Sequence, residues 1–117
     1  MKTIKQLALT AFLFISFTGI AQQKNELLDR TFWKSSPSVA TVKQKIAEGN
    51  DPIAKDSNSF DATTLAITSK ADTEVVKYLL SLEGNEVDKK THDSRIYLHW
   101  ATYAGDAELV QYLLDNG

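Results

Sequence analysis

Cysteine is missing altogether from the 117 residues. That absence removes disulfides, zinc–thiolate sites, iron–sulfur clusters and thiol catalysis. There is no excess of positive charge either: 13 Lys and Arg stand against 15 Asp and Glu. Such a chain is a poor electrostatic match for a phosphate backbone, so nucleic acid is not an expected partner. No serine lies in a Gly-x-Ser-x-Gly setting, and no glycine-rich phosphate loop occurs. Nucleophilic catalysis therefore has no visible constellation. The apolar run from Leu7 to Ile20 is shorter than the roughly 20 residues that a membrane-spanning helix needs. What is present suits one small folded domain: 43% of residues are apolar and 24% charged.

The first 21 residues have the three-part grammar of a secretory signal peptide. A short positive start, Met1 to Gln6, carries Lys2 and Lys5. The apolar run follows and ends in Gly19-Ile20-Ala21, with small residues at the last and third-last positions. Cleavage after Ala21 would remove two of the 13 basic residues, leaving 11 against 15 acids and a net charge of −4. The expected location is outside the cytoplasm, periplasmic or secreted, with no stable membrane insertion after cleavage. An exported chain without cysteine fits a bacterial envelope better than a eukaryotic secretory route, where small domains usually carry disulfides.

The rest of the chain repeats. Val42, Val76 and Val110 are spaced 34 apart, and Ile46, Leu80 and Leu114 keep the same spacing. Each segment soon reaches a glycine, Gly49, Gly84 or Gly117, expected to supply a left-handed helix cap. A fixed period of 30-odd residues marks a solenoid, in which each unit stacks on its neighbours. Within the third unit Leu109, Val110, Leu113 and Leu114 recur at three- and four-residue spacing, one face of a helix. A shorter helix holding Leu98, Trp100, Ala101 and Ala104 precedes it and stops at Gly105-Asp106. The predicted unit is helix, tight turn, helix, long polar turn.

The third copy, Ile96-Tyr97-Leu98-His99-Trp100-Ala101 followed by Gly105-Asp106-Ala107-Glu108-Leu109-Val110 and the paired Leu113-Leu114, resembles an ankyrin repeat. The family pattern there is Thr-Pro-Leu-His-x-Ala, a glycine turn, then Glu-Val-Val and paired leucines. The second copy keeps the later half, Thr73 to Leu80, but reads Thr63-Thr64-Leu65 in place of Pro-Leu-His. The first keeps Val42, Ile46 and Gly49-Asn50-Asp51-Pro52, with Trp33 where alanine is usual. The resemblance implies an all-α ankyrin-repeat solenoid of stacked helix-turn-helix units after an N-terminal signal peptide. Its parts are a signal peptide over 1–21, a divergent repeat over 23–55, a second over 56–90 and a third over 91–117. It also implies a concave face lined by the first helices, turns projecting as fingers, binding to other proteins, and no chemistry. The apolar stripe Val110, Leu113 and Leu114 leads to the expectation of further repeats beyond Gly117, the rival being a partner or second copy that caps this end.

His99 falls at the family's Leu-His position, where the resemblance implies hydrogen bonding to the backbone of adjacent turns. His92 sits in a polar turn and is expected to be solvent-exposed. Asp56 to Asp61 lacks the glycine and the glutamate of a calcium loop and reads as a solvated turn. No catalytic, cofactor or metal residue is assigned. Phe32, Trp33 and Trp100 fall on inward positions, and Tyr78 and Tyr112 are equivalent by period. Tyr103 falls where the family is variable and faces the groove. Phe60 and Arg95 occupy equivalent fingertip positions, although Phe60 has the alternative of tucking against the first helix. Phe60, Asp93, Arg95 and Tyr103 are the expected partner contacts, being residues that anchor interfaces or sit beside one. The expected function is a non-catalytic protein-interaction module that scaffolds, protects or inhibits an envelope or secreted protein. The alternative is a targeting arm of a larger enzyme or of a toxin/immunity system. The net charge of −4 would steer encounter with a basic partner, but values of that size are common.

Overall fold

The computed structural model describes residues 23–117. The expected signal peptide, 1–21, lies outside the described residues. Among the described residues there are six α-helices and no strand: α1 (Arg30–Lys34), α2 (Val39–Ala47), α3 (Ala62–Thr68), α4 (Thr73–Leu80), α5 (Tyr97–Ala104) and α6 (Ala107–Asp115). Two short 3-10 turns, Glu26–Leu28 and His92–Ser94, and an isolated bridge between Lys55 and Asp61 complete the elements.

Helix starts are set by short acidic or hydroxyl side chains. Asp29, Ser38, Asp61, Asp72 and Asp106 each accept a backbone N–H from the first turn of the helix they open, satisfying donors that have no partner inside the helix. Helix α5 begins differently. Its N-cap is Ile96, and His99 Nδ1 accepts the Ile96 N–H at 3.1 Å. The histidine bond therefore goes to the start of its own helix, at the residue that follows the Thr91–Arg95 turn.

Helix ends depart from the expected glycine caps at Gly84 and at Gly117, where Asn116 rather than the glycine returns its N–H to α6, reaching Leu113 O at 3.3 Å. Gly49 closes α2 with φ 103°, its N–H and that of Asn50 reaching Ile46 O and Lys45 O at 3.0 and 3.1 Å. Gly105 closes α5 in the left-handed region. Gly84 does not cap α4. That helix ends at Leu80 with Ser81 as its cap, and Gly84 bends the loop beyond, where Ile53 side-chain atoms approach to 2.8 Å of where a Cβ would sit.

Helices α1, α3 and α5 pack side by side in one row, and α2 and α4 pack side by side in a second. Helix α6 joins that second row through Lys77, which reaches Glu108 at 3.4 Å and lies 5.1 Å from the Tyr112 ring centre. One repeat earlier Lys43 lies 5.1 Å from the Tyr78 ring centre. Tyr78 and Tyr112 thus do the same work twice: each receives a lysine from the preceding repeat. The core runs between the rows and holds Leu27, Trp33, Val42, Leu65, Val75, Leu79, Tyr97, Trp100, Leu109 and Leu113. Burying one large side chain of this kind contributes about 1.5–3 kcal/mol. Phe32 is only half-buried, at the edge of the core.

Candidate protein-binding face

Two fingers project between the repeats, and both close the same way. Asp56 N–H reaches Phe60 O at 2.8 Å, and 35 residues on Thr91 N–H reaches Arg95 O at 2.8 Å. Asp56 Oδ1 also accepts the N–H groups of Asn58 and Phe60 at 2.8 and 3.0 Å. Asparagines anchor the finger bases. Asn50 is buried, donates to Lys45 O at 2.9 Å and accepts from Glu26 N at 2.7 Å. Asn85 is buried and donates to Leu79 O at 3.1 Å and to Pro52 O at 3.2 Å. The twice-repeated Gly-Asn pair at 49–50 and 84–85 was the sequence signal for this role.

A buried polar cluster ties the fingers to the helices. Asp61 is wholly enclosed and pairs with Lys89 Nζ at 2.9 Å. It also accepts from Tyr97 Oη at 2.5 Å and from Thr64 N at 2.8 Å. Lys89 donates further to Ile53 O at 2.8 Å and Asn85 Oδ1 at 2.9 Å. Burial and the adjacent Asp61 carboxylate push the Tyr97 phenol far above its ordinary range, so it remains a donor. Lys89 thereby has an acceptor for each of its three N–H groups, all from within the chain.

The four expected contact residues fall into two sets. Tyr103 stands 82% exposed on α5. It lines a groove of about 560 Å³ with Arg95, Leu98, His99, Trp100 and Thr102. Phe60 is half-buried: its ring stacks on His92 at 4.5 Å and meets Trp100 at 5.7 Å. It packs forward on the next finger and on Trp100 of α5 rather than back on its own repeat's helix. His92 is correspondingly not the free surface residue expected. It is half-buried in that stack, and its Nδ1–H donates to Asn58 O at 2.7 Å. Arg95 lies 5.4 Å from the Trp100 ring and pairs with Asp93 at 3.0 Å. Asp93 and Ser94 hold φ of 55° and 59°, left-handed conformations that cost non-glycine residues about 1–2 kcal/mol each. The finger pairing of Thr91 with Arg95 maintains them.

Two contributors had no sequence signal. Arg30 of α1 reaches across to Thr68 Oγ1 of α3 at 3.1 Å and lies 5.9 Å from the Phe60 ring centre. Trp100, read as core, has its indole N–H on Thr91 Oγ1 at 2.8 Å and its ring at the groove. Trp100 serves core and surface together because its ring spans both.

Stacked helix pairs, pinned fingers and an exposed aromatic groove define a helix-turn-helix repeat solenoid. The sequence matches the family of ankyrin repeats, in three copies, over residues 34–117. The chain belongs to the ankyrin repeat family, whose repeats are protein-interaction modules. It is also 36% identical over 74 residues to the palmitoyltransferase AKR1 of Debaryomyces hansenii. That similarity covers 57% of this chain and 9% of the yeast protein, so the chain spans a small part of that relative's length. No solved structure matches the chain.

Proposed function

We propose that this chain is a non-catalytic docking module of an exported protein, which holds, protects or inhibits an envelope or secreted partner through its concave face. The observation that carries the docking face is Tyr103, 82% exposed beside the groove floored by Leu98 and Trp100. An exposed tyrosine next to a guanidinium is what interface hot spots are made of. Phe60 and Asp93 contribute by holding the fingertip: Phe60 supports His92, and Asp93 aims Arg95. The signal-peptide grammar of residues 1–21 supports export.

A photo-crosslinking amino acid at Tyr103, compared with one at the exposed Gln44 of α2, tests this reading in intact cells. With an epitope tag just after Ala21, the captured chain is expected in the envelope fraction and without residues 1–21. A single protein adduct is expected from position 103 and none from position 44. Adducts from position 44 alone overturn the concave reading, and a cytoplasmic chain retaining its first residues overturns export.

A second reading is favoured by the yeast palmitoyltransferase, in which the similar segment is 9% of the protein. Here the repeats are a targeting arm, and the chemistry, whether an enzyme's or a toxin/immunity system's, lies elsewhere. The mass of the captured species separates the two: a much heavier chain with a non-repeat domain favours the arm.

A further inference from the structure

The helices of the two rows carry different charges. The helices of the first row, α1, α3 and α5, contain Arg30 and Lys34 and no acid. The helices of the other row, α2, α4 and α6, contain Lys43, Lys45 and Lys77 beside Glu74, Glu108 and Asp115, so their charges cancel. Several remaining carboxylates are engaged away from the groove. Asp29 faces Lys24 and the Thr31 N–H, Glu26 and Glu48 face Lys45, and Asp61 is enclosed with Lys89. Among the described residues no carboxylate lies within 4 Å of the Arg30 guanidinium, whose polar contact is Thr68.

Arg30 and Arg95 also share one aromatic seat. Arg30 lies 5.9 Å from the Phe60 ring, Phe60 5.7 Å from Trp100, and Arg95 5.4 Å from Trp100. A guanidinium held against a ring loses little freedom on binding and keeps N–H groups free for a carboxylate, which it can grip with two parallel bonds. Arg95 already shares one N–H with Asp93 on its own fingertip, which fixes its direction and leaves the others. Charges farther away than a Debye length of about 8 Å are screened, so the net charge of the chain has little say at this face. Asp93 offsets part of the Arg95 charge, and Arg30 has no carboxylate among the described residues within 4 Å.

We propose that the concave face takes an acidic segment of a partner protein, its carboxylates meeting Arg30 and Arg95 across the Phe60–Trp100 ring pair and an apolar residue resting on Leu98 and Tyr103. This rests on the docking reading above and reverses the partner charge that the net charge of the sequence suggests.

Panning the full chain against a phage library of random 12-residue peptides tests it. Selected peptides are expected to be enriched in Asp and Glu, to weaken as sodium chloride rises, and to perturb the amide resonances of residues 30, 95, 100 and 103. In the variant carrying Arg30→Gln and Arg95→Gln together, their affinity falls at least about tenfold while the melting temperature holds. If that variant does not fold, Arg30→Gln alone and Tyr103→Ser, both at exposed positions, each still weaken binding. Peptides that seat on the same face but are basic or uncharged overturn the charge assignment and leave the docking reading intact. Peptides that perturb only α2, α4 and α6, or a library without binders, overturn both.

Discussion

Tyr97 occupies the position where the family pattern has proline, and its hydroxyl ends on the buried Asp61 carboxylate. A tyrosine there is a wager on one acceptor: buried hydroxyls without a partner cost about 1–3 kcal/mol. Asp61, the N-cap of α3, is in turn compensated by Lys89 from the second finger. Because the folded phenol titrates far above its unfolded value near 10, both states are protonated below pH about 10 and the contribution is whole there. Above that pH the unfolded chain gives up its proton and the folded chain does not. Stability is then expected to fall by up to about 1.4 kcal/mol per pH unit from this group alone. Urea denaturation of wild type and Tyr97→Phe between pH 9 and 11.5 checks it. Tyr97→Phe is expected to be less stable at pH 9 and to lose less with rising pH, and parallel curves would contradict the assignment. The period showed that 96–101 is a helix start, but nothing in the sequence joined Tyr97 to Asp61, 36 positions away.

Each helix is short, so its ends carry much of its energy. Helices α3 and α5 end alike: one closing residue turns left-handed, and its N–H and the next return to the last turns of the helix. Helix α5 uses Gly105 with φ 74°, whereas α3 uses Lys70 with φ 57°. The exposed lysine pays nothing in packing yet carries the strain of a Cβ in that region. Lys70→Gly is expected to stabilise the chain by about 0.5–1 kcal/mol, and Gly105→Ala, which meets no atom within 4 Å, to destabilise it by a similar amount. Thermal melts of the two variants would show opposite shifts. At this scale the sequence was most legible, because caps and apolar periodicity are local. It misled at Gly84, where the helix had already stopped at Leu80 and the glycine was needed for Ile53 to pass.

The whole molecule is a row of units joined by side chains that cross between them. Trp33 Nε1–H on Leu27 O closes the first unit, the Lys43–Tyr78 and Lys77–Tyr112 contacts link the second helices, and the Asp61 cluster links the fingers. Helix α3 sits in the middle, with Ala62 through Ile67 all buried. Its amides are expected to exchange with solvent most slowly, and those of α1 and of the His92–Ser94 turn faster, since protection follows burial and contact. Hydrogen-exchange mass spectrometry on the full chain reads that order directly, and an α3 that exchanges as fast as α1 would mean the units do not support one another.

By itself the sequence determined the helix pairs, their period and the family, because repetition, apolar spacing and capping are properties of neighbouring residues. The family resemblance also placed Tyr103 toward the groove, and the residue is 82% exposed there. Only the tertiary structure decided that Phe60 and His92 lean on each other, and that Arg30 and Arg95 each come to rest against a linked pair of rings, Phe60 and Trp100. Those outcomes depend on which residues from different repeats are brought within a few ångströms, and electrostatic and aromatic contacts act only over such distances.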